Sequence, residues 1–125
     1  MCGIISLFGD KRIVPGNMLN HRGPDDYHSV TLGKCQMDFY RLSINDISPA
    51  GMQPFVGEGH MFMCNGEIYN HKQYETGNEK SKSDCEVVMN MINKLGMMKT
   101  VESLNGDFAM VYTDGERVLA ARDPV

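Results

Sequence analysis

The chain has 125 residues, 42% of them hydrophobic and 22% charged, with a net charge of −4 at pH 7. That length holds one domain with a real core, and the acidic balance offers no basic patch for nucleic acid. No apolar run approaches the ~20 residues of a membrane helix and no basic segment precedes the first apolar run, so neither a membrane span nor a signal peptide is expected.

The elements follow in chain order. Cys2 directly follows Met1. Once Met1 is removed, Cys2 carries a thiol nucleophile and a free α-amine on one residue. The ordinary pKa of that amine, about 7.7–8.0, leaves part of it unprotonated near neutral pH and able to take a proton. Gly3 to Phe8 is a short apolar run ended by Gly9-Asp10, which predicts a buried strand that holds the nucleophile at its tip. A short helix is expected over residues 15–20, opened by Pro15. His21 to Asp26 is a turn-rich loop. Tyr27 to Leu32 and Cys35 to Arg41 read as strands joined around Gly33-Lys34. His60 to Cys64 reads as a strand that turns at Asn65-Gly66. Ser83-Asp84-Cys85-Glu86 has the spacing of a capping box. Behind it, Val88, Met91, Ile92 and Leu95 recur at helical intervals up to Gly96. Asp107 to Thr113 and Glu116 to Ala121 flank Asp114-Gly115, a hairpin signal. Five or more strands with one clear helix predict a layered α+β domain over residues 1–125.

Cys2, Cys35, Cys64 and Cys85 form no C-x-x-C pair and no zinc pattern with the four histidines. Reduced thiols in a cytoplasmic protein are expected, with Cys35, Cys64 and Cys85 inert and packed as small hydrophobes. A disulfide framework stays open on count alone. Asn65-Gly66 taken by itself favours a hairpin, Arg41 a surface ion pair, and Asp84 a helix-start acid.

Six stretches read together go further. They are Met1-Cys2-Gly3-Ile4, His21-Arg22-Gly23-Pro24-Asp25, Arg41-Leu42-Ser43-Ile44, Cys64-Asn65-Gly66-Glu67-Ile68-Tyr69-Asn70, Ser83-Asp84-Cys85-Glu86, and Leu104-Asn105-Gly106-Asp107-Phe108-Ala109 with Ala121-Arg122-Asp123-Pro124. In this order they closely resemble the glutaminase domain of class II glutamine amidotransferases, which are N-terminal nucleophile hydrolases. Pro24 and Gly51-Met52-Gln53-Pro54 point to the asparagine synthetase type. The resemblance implies an αββα sandwich of antiparallel sheets. It implies hydrolysis of L-glutamine to glutamate and ammonia through a thioester on Cys2, with Asn65 and Gly66 forming the oxyanion hole. Arg41, Leu42, Ile44, Glu67 and Asp84 become substrate-binding residues, Arg22 and Asp25 order a loop over the pocket, and His21 is a loop residue and not a base. No metal and no cofactor are implied for this half-reaction.

The chain also departs from the family. The segments before His21 and between Asn70 and Asp84 are short, and the sequence stops at Val125, where the family's domain usually adds strands. A trimmed or incomplete sandwich is therefore expected. An edge left bare that way invites a homodimer or a partner subunit. No Ser-Gly-Gly-rich ATP loop is present, so ammonia is expected to pass to an ATP-binding synthetase domain or subunit elsewhere. The competing expectation is a non-catalytic glutamine-binding or interaction module derived from the same family.

Overall fold

A computed structural model of the chain describes residues 2–9, 18–43 and 47–124. The described strands are β1 (Gly3–Phe8), β2 (Asp26–Leu32), β3 (Cys35–Arg41), β4 (Phe55–Gly57), β5 (His60–Ile68), β6 (Gly106–Thr113) and β7 (Val118–Arg122). The described α-helices are α1 (Asp84–Leu95) and α2 (Met97–Ser103). They form two sheets, ordered β1-β3-β2 and β4-β5-β6-β7, with every neighbouring pair antiparallel.

Alternation along β3 sets the layers. Cys35, Met37 and Phe39 point to one face and pack on Met61 and Met63 of β5, which joins the two sheets. On the far face of the second sheet, Phe62, Cys64, Phe108 and Met110 pack with Val88 and Ile92 of α1. The order is sheet, sheet, helices. The expected fourth, helical layer over the outer face of the first sheet is not found among the described residues. That face instead carries Gln36, Asp38 and Tyr40. Asp38 is 1% exposed and accepts from the Ser29 hydroxyl and from Gln36 Nε2 at 3.1 Å, so the buried carboxylate is satisfied within the sheet. The expected helix from Pro15 lies largely outside the described residues; Met18–Arg22 is a turn.

Both expected hairpins form, and their tips touch. The Lys34 N–H donates to the Gly115 carbonyl at 3.0 Å. Gly33 has a φ of +56°, and a Cβ there would lie 2.3 Å from the same oxygen. The chain does not turn at Asn65-Gly66. β5 runs on to Ile68, with Asn65 opposite Ala109 and Gly66 opposite Phe108. Glycine serves close approach here: at φ +150°, a Cβ on Gly66 would stand 2.0 Å from the Asp107 carbonyl oxygen.

Ser83 caps α1, its Oγ accepting from the Cys85 N–H at 3.2 Å. Glu86 does not complete the capping box. Its carboxylate accepts from the Lys80 and Ser81 N–H groups, each at 2.8 Å, and from the Ser81 hydroxyl, tying the preceding loop to the helix. Gly96, at φ +84°, ends α1, and α2 follows immediately, unforeseen from the sequence. Ser83→Ala is expected to lower unfolding stability by about 1 kcal/mol, readable as a fall of a few degrees in melting temperature.

Candidate active site

Cys2 sits just ahead of β1, which places its side chain beside the last residues of the neighbouring strand β3. The Leu42 N–H donates to Cys2 Sγ at 3.2 Å, and the Leu42 carbonyl lies 3.4 Å from the same sulfur. A backbone N–H aimed at sulfur holds it in place and meets negative charge when the thiol ionises. The loop before β2 clamps the same corner. Asp25 Oδ2 accepts from the Ser43 N–H at 2.8 Å, the Asp25 N–H donates to the Arg41 carbonyl at 2.9 Å, and Arg22 Nε lies 3.4 Å from the Cys2 carbonyl. Gly23 lets this loop lie flat on β3, since a Cβ there would stand 2.0 Å from the Tyr40 carbonyl oxygen.

A cavity of about 190 Å³ opens between the two sheets and the start of α1. It is smaller than the roughly 300–1,000 Å³ of drug-sized pockets and suits a molecule of amino-acid size. Cys2, Arg41, Leu42, Asn65, Gly66, Glu67 and Asp84 all line it. Ile44 lies outside the described residues. His21 is exposed and does not line the cavity. Phe39, Gly51, Gln53, Ser83 and Asp107 line it as well, and reading the sequence had given them no role there. Gly51, Gln53, Ser83 and Asp107 stand in the family-like stretches, and that is their only sequence signal.

Two charged groups in the cavity are held by backbone. Arg41 is 6% exposed, and one guanidinium nitrogen donates to the Ser48 carbonyl at 2.8 Å. Asp84, 4% exposed, accepts from the Ile68 N–H at 2.7 Å and the Cys85 N–H at 3.1 Å. Each of its oxygens retains a lone pair for a further donor. Asn65 Oδ1 is buried without a hydrogen-bond partner. That oxygen is closed off from solvent, so it is the rest of the Asn65 side chain that meets the cavity. Asp107 accepts from Tyr69 Oη at 2.7 Å, and this contact raises the tyrosine pKa.

The four cysteines are all free thiols, but only Cys2 is more than marginally accessible. Cys85 is 4% exposed and lines the cavity beside Asp84. Contact with the Cys64 thiol and burial push its pKa well up, which keeps it protonated and unreactive.

The family is settled by comparison with known proteins. The chain belongs to the glutamine amidotransferase domain family, whose profile matches residues 1–125. Its relatives include a probable glutamine-hydrolysing asparagine synthetase of Acanthamoeba polyphaga mimivirus, 37% identical over 141 aligned positions covering 98% of this chain and 26% of that protein. The human glutamine-hydrolysing asparagine synthetase is 34% identical over 139 positions, again 98% of this chain and 25% of that protein. A third relative, amidase chry2 of Gibberella zeae, is 37% identical over 127 positions, 86% of this chain and 17% of that protein. The chain thus spans about a quarter of the length of the synthetases. The 141 aligned positions exceed its 125 residues, so the viral relative carries insertions within the matched stretch. Among the described residues no helix is long and apolar enough to cross a membrane.

Proposed function

We propose that this domain, of N-terminal nucleophile hydrolase type, hydrolyses L-glutamine to glutamate and ammonia through a γ-glutamyl thioester on Cys2. The observation that carries this reading is the convergence of one accessible thiol, one guanidinium, the backbone-held Asp84 carboxylate and the Asn65 side chain on one amino-acid-sized cavity. A free amino acid presents a carboxylate and an ammonium at one end. Arg41 offers a planar fork of donors to the first. Asp84 and Glu67 accept from the second. The Leu42 backbone, with Ile44 expected beside it, lines the side of the substrate.

With Met1 removed, the Cys2 α-amine takes the thiol proton as Sγ attacks the side-chain carbonyl. Negative charge moves onto the carbonyl oxygen, where the Asn65 carboxamide and the Gly66 N–H stabilise it. The C–N bond breaks, the amine returns its proton to the leaving nitrogen, and ammonia departs. Water then adds to the thioester, the amine takes a proton from it, and glutamate leaves as the thiol is restored. Asn65→Ala is expected to lower kcat by roughly 100- to 1,000-fold with KM for glutamine little changed, because the charge it meets exists only in the transition state.

The ammonia is proposed to serve an asparagine synthetase-like, ATP-dependent acceptor site in another domain or chain, in asparagine biosynthesis within the cytoplasm. A homodimer or partner subunit is proposed to pair along an edge strand of one of the two sheets. Steady-state glutamate release, measured on protein whose intact mass shows Met1 removed, tests the first step. Glutamine binding without release would favour the non-catalytic module instead.

A further inference from the structure

One short segment ties the two ends of the cavity together. Residue 48 holds the guanidinium: the Ser48 carbonyl accepts from Arg41 at 2.8 Å. A 3-10 turn, Pro49–Gly51, follows. Gln53 then reaches the other end, its Oε1 accepting from the Cys64 N–H at 2.7 Å. The β4–β5 register pairs Phe55 with Phe62, so a longer β4 would set residue 53 opposite residue 64. The main chain leaves the ladder before that point, and the Gln53 side chain supplies the acceptor that the strand no longer provides. Gln53 is 5% exposed and lines the cavity. Without it the Cys64 N–H, adjacent to Asn65, would be a buried donor left unpaired.

We propose that Gln53 is a positioning residue for oxyanion stabilisation: its Oε1 fixes the Cys64–Asn65 peptide and so aims the Asn65 carboxamide and the Gly66 N–H at the reacting carbonyl. The inference rests on the acyl-transfer reading for its kinetic consequence, but not for its structural one. A peptide plane sets the direction of the side chain that follows it. Loss of the anchor therefore turns Asn65 without touching Arg41 or Asp84. Groups that act only on the developing charge change kcat and not substrate binding.

The test uses the full chain with Gln53→Met, which keeps length and removes the acceptor, and Gln53→Glu, which keeps an acceptor. Gln53→Met is expected to lower kcat by about 30- to 100-fold with KM for glutamine within about threefold, and Gln53→Glu to recover at least about tenfold of that loss. In NMR spectra, Gln53→Met is expected to displace the signals of the Asn65 side-chain amide and the Gly66 N–H while leaving that of Leu42, beside Cys2, in place. A kcat within threefold of the parent, or a rise in KM at unchanged kcat, would overturn the proposal. Unmoved Asn65 and Gly66 signals would do so whether or not the chain turns over. A parent chain that releases no glutamate, with those signals displaced in Gln53→Met, counts against acyl transfer and for the role of Gln53. If Gln53→Met does not fold, Gln53→Glu decides: Asn65 and Gly66 signals at their parent positions support the proposal, and displaced ones overturn it.

Discussion

Cys2→Ala is expected to abolish glutamate release, by at least about 10,000-fold in kcat, while glutamine still binds with an affinity within a few-fold of the parent. The split follows from the geometry. On the proposed reading, affinity resides in Arg41, held by the Ser48 carbonyl, and in Asp84, held by the Ile68 and Cys85 N–H groups. None of these depends on the sulfur. On the same reading, turnover resides in the one accessible thiol, because Cys35, Cys64 and Cys85 are buried. Cys35→Ala is the matching control and is expected to keep its turnover. Calorimetric titration with glutamine beside a glutamate-release assay reads both quantities on the same samples.

Gly66→Ala is expected to cost about 3 kcal/mol of stability and to remove measurable turnover. Its Cβ would stand 2.0 Å from the Asp107 carbonyl oxygen and 2.6 Å from the Phe108 Cα, both backbone atoms that no rotamer change can clear. β5 and β6 would have to separate where Asn65 and Gly66 face the cavity. Gly59→Ala isolates the conformational part of that cost. Gly59 also has a positive φ, +71°, but nothing lies within 4 Å of the added atom, so about 1–2 kcal/mol is expected there. Urea unfolding of the two variants against the parent compares the terms, and equal losses would remove the argument from close strand approach.

Much of this fold was legible in the sequence because it is locally encoded. The turns at Gly33-Lys34 and Asp114-Gly115, the Ser83 cap and the Gly96 stop each depend on residues adjacent in the chain. What was missed depends on contacts distant in sequence. Asn65-Gly66 has the local preference of a turn, but the approach of Asp107 on β6 keeps it within a strand. Glu86 has capping-box spacing, but the Lys80 and Ser81 N–H groups take its carboxylate. Only Thr100 is buried in the seven-residue α2, so it shows little apolar period.

The site divides in the same way. Cys2, Arg41, Asn65, Gly66, Glu67 and Asp84 stand in short motifs that a reader can match one by one, and the cavity gathers them. Gln53 joins the site through a hydrogen bond to a residue 11 positions on, so the stretch Gly51-Met52-Gln53-Pro54 marks the residue but not its partner. The two antiparallel sheets of the expected sandwich are present, and among the described residues no helix lies over the face of the first sheet that carries Gln36, Asp38 and Tyr40.

The most direct test of Cys2 as an N-terminal nucleophile is covalent trapping. A γ-diazoketone analogue of glutamine, incubated with the full chain and located by peptide mass spectrometry, is expected to mark the sulfur of Cys2 alone, on a peptide that begins at Cys2 with a free amine, in step with loss of glutamate release. Glutamate release from protein that retains Met1, or a label carried by any other residue while activity disappears, would contradict the account.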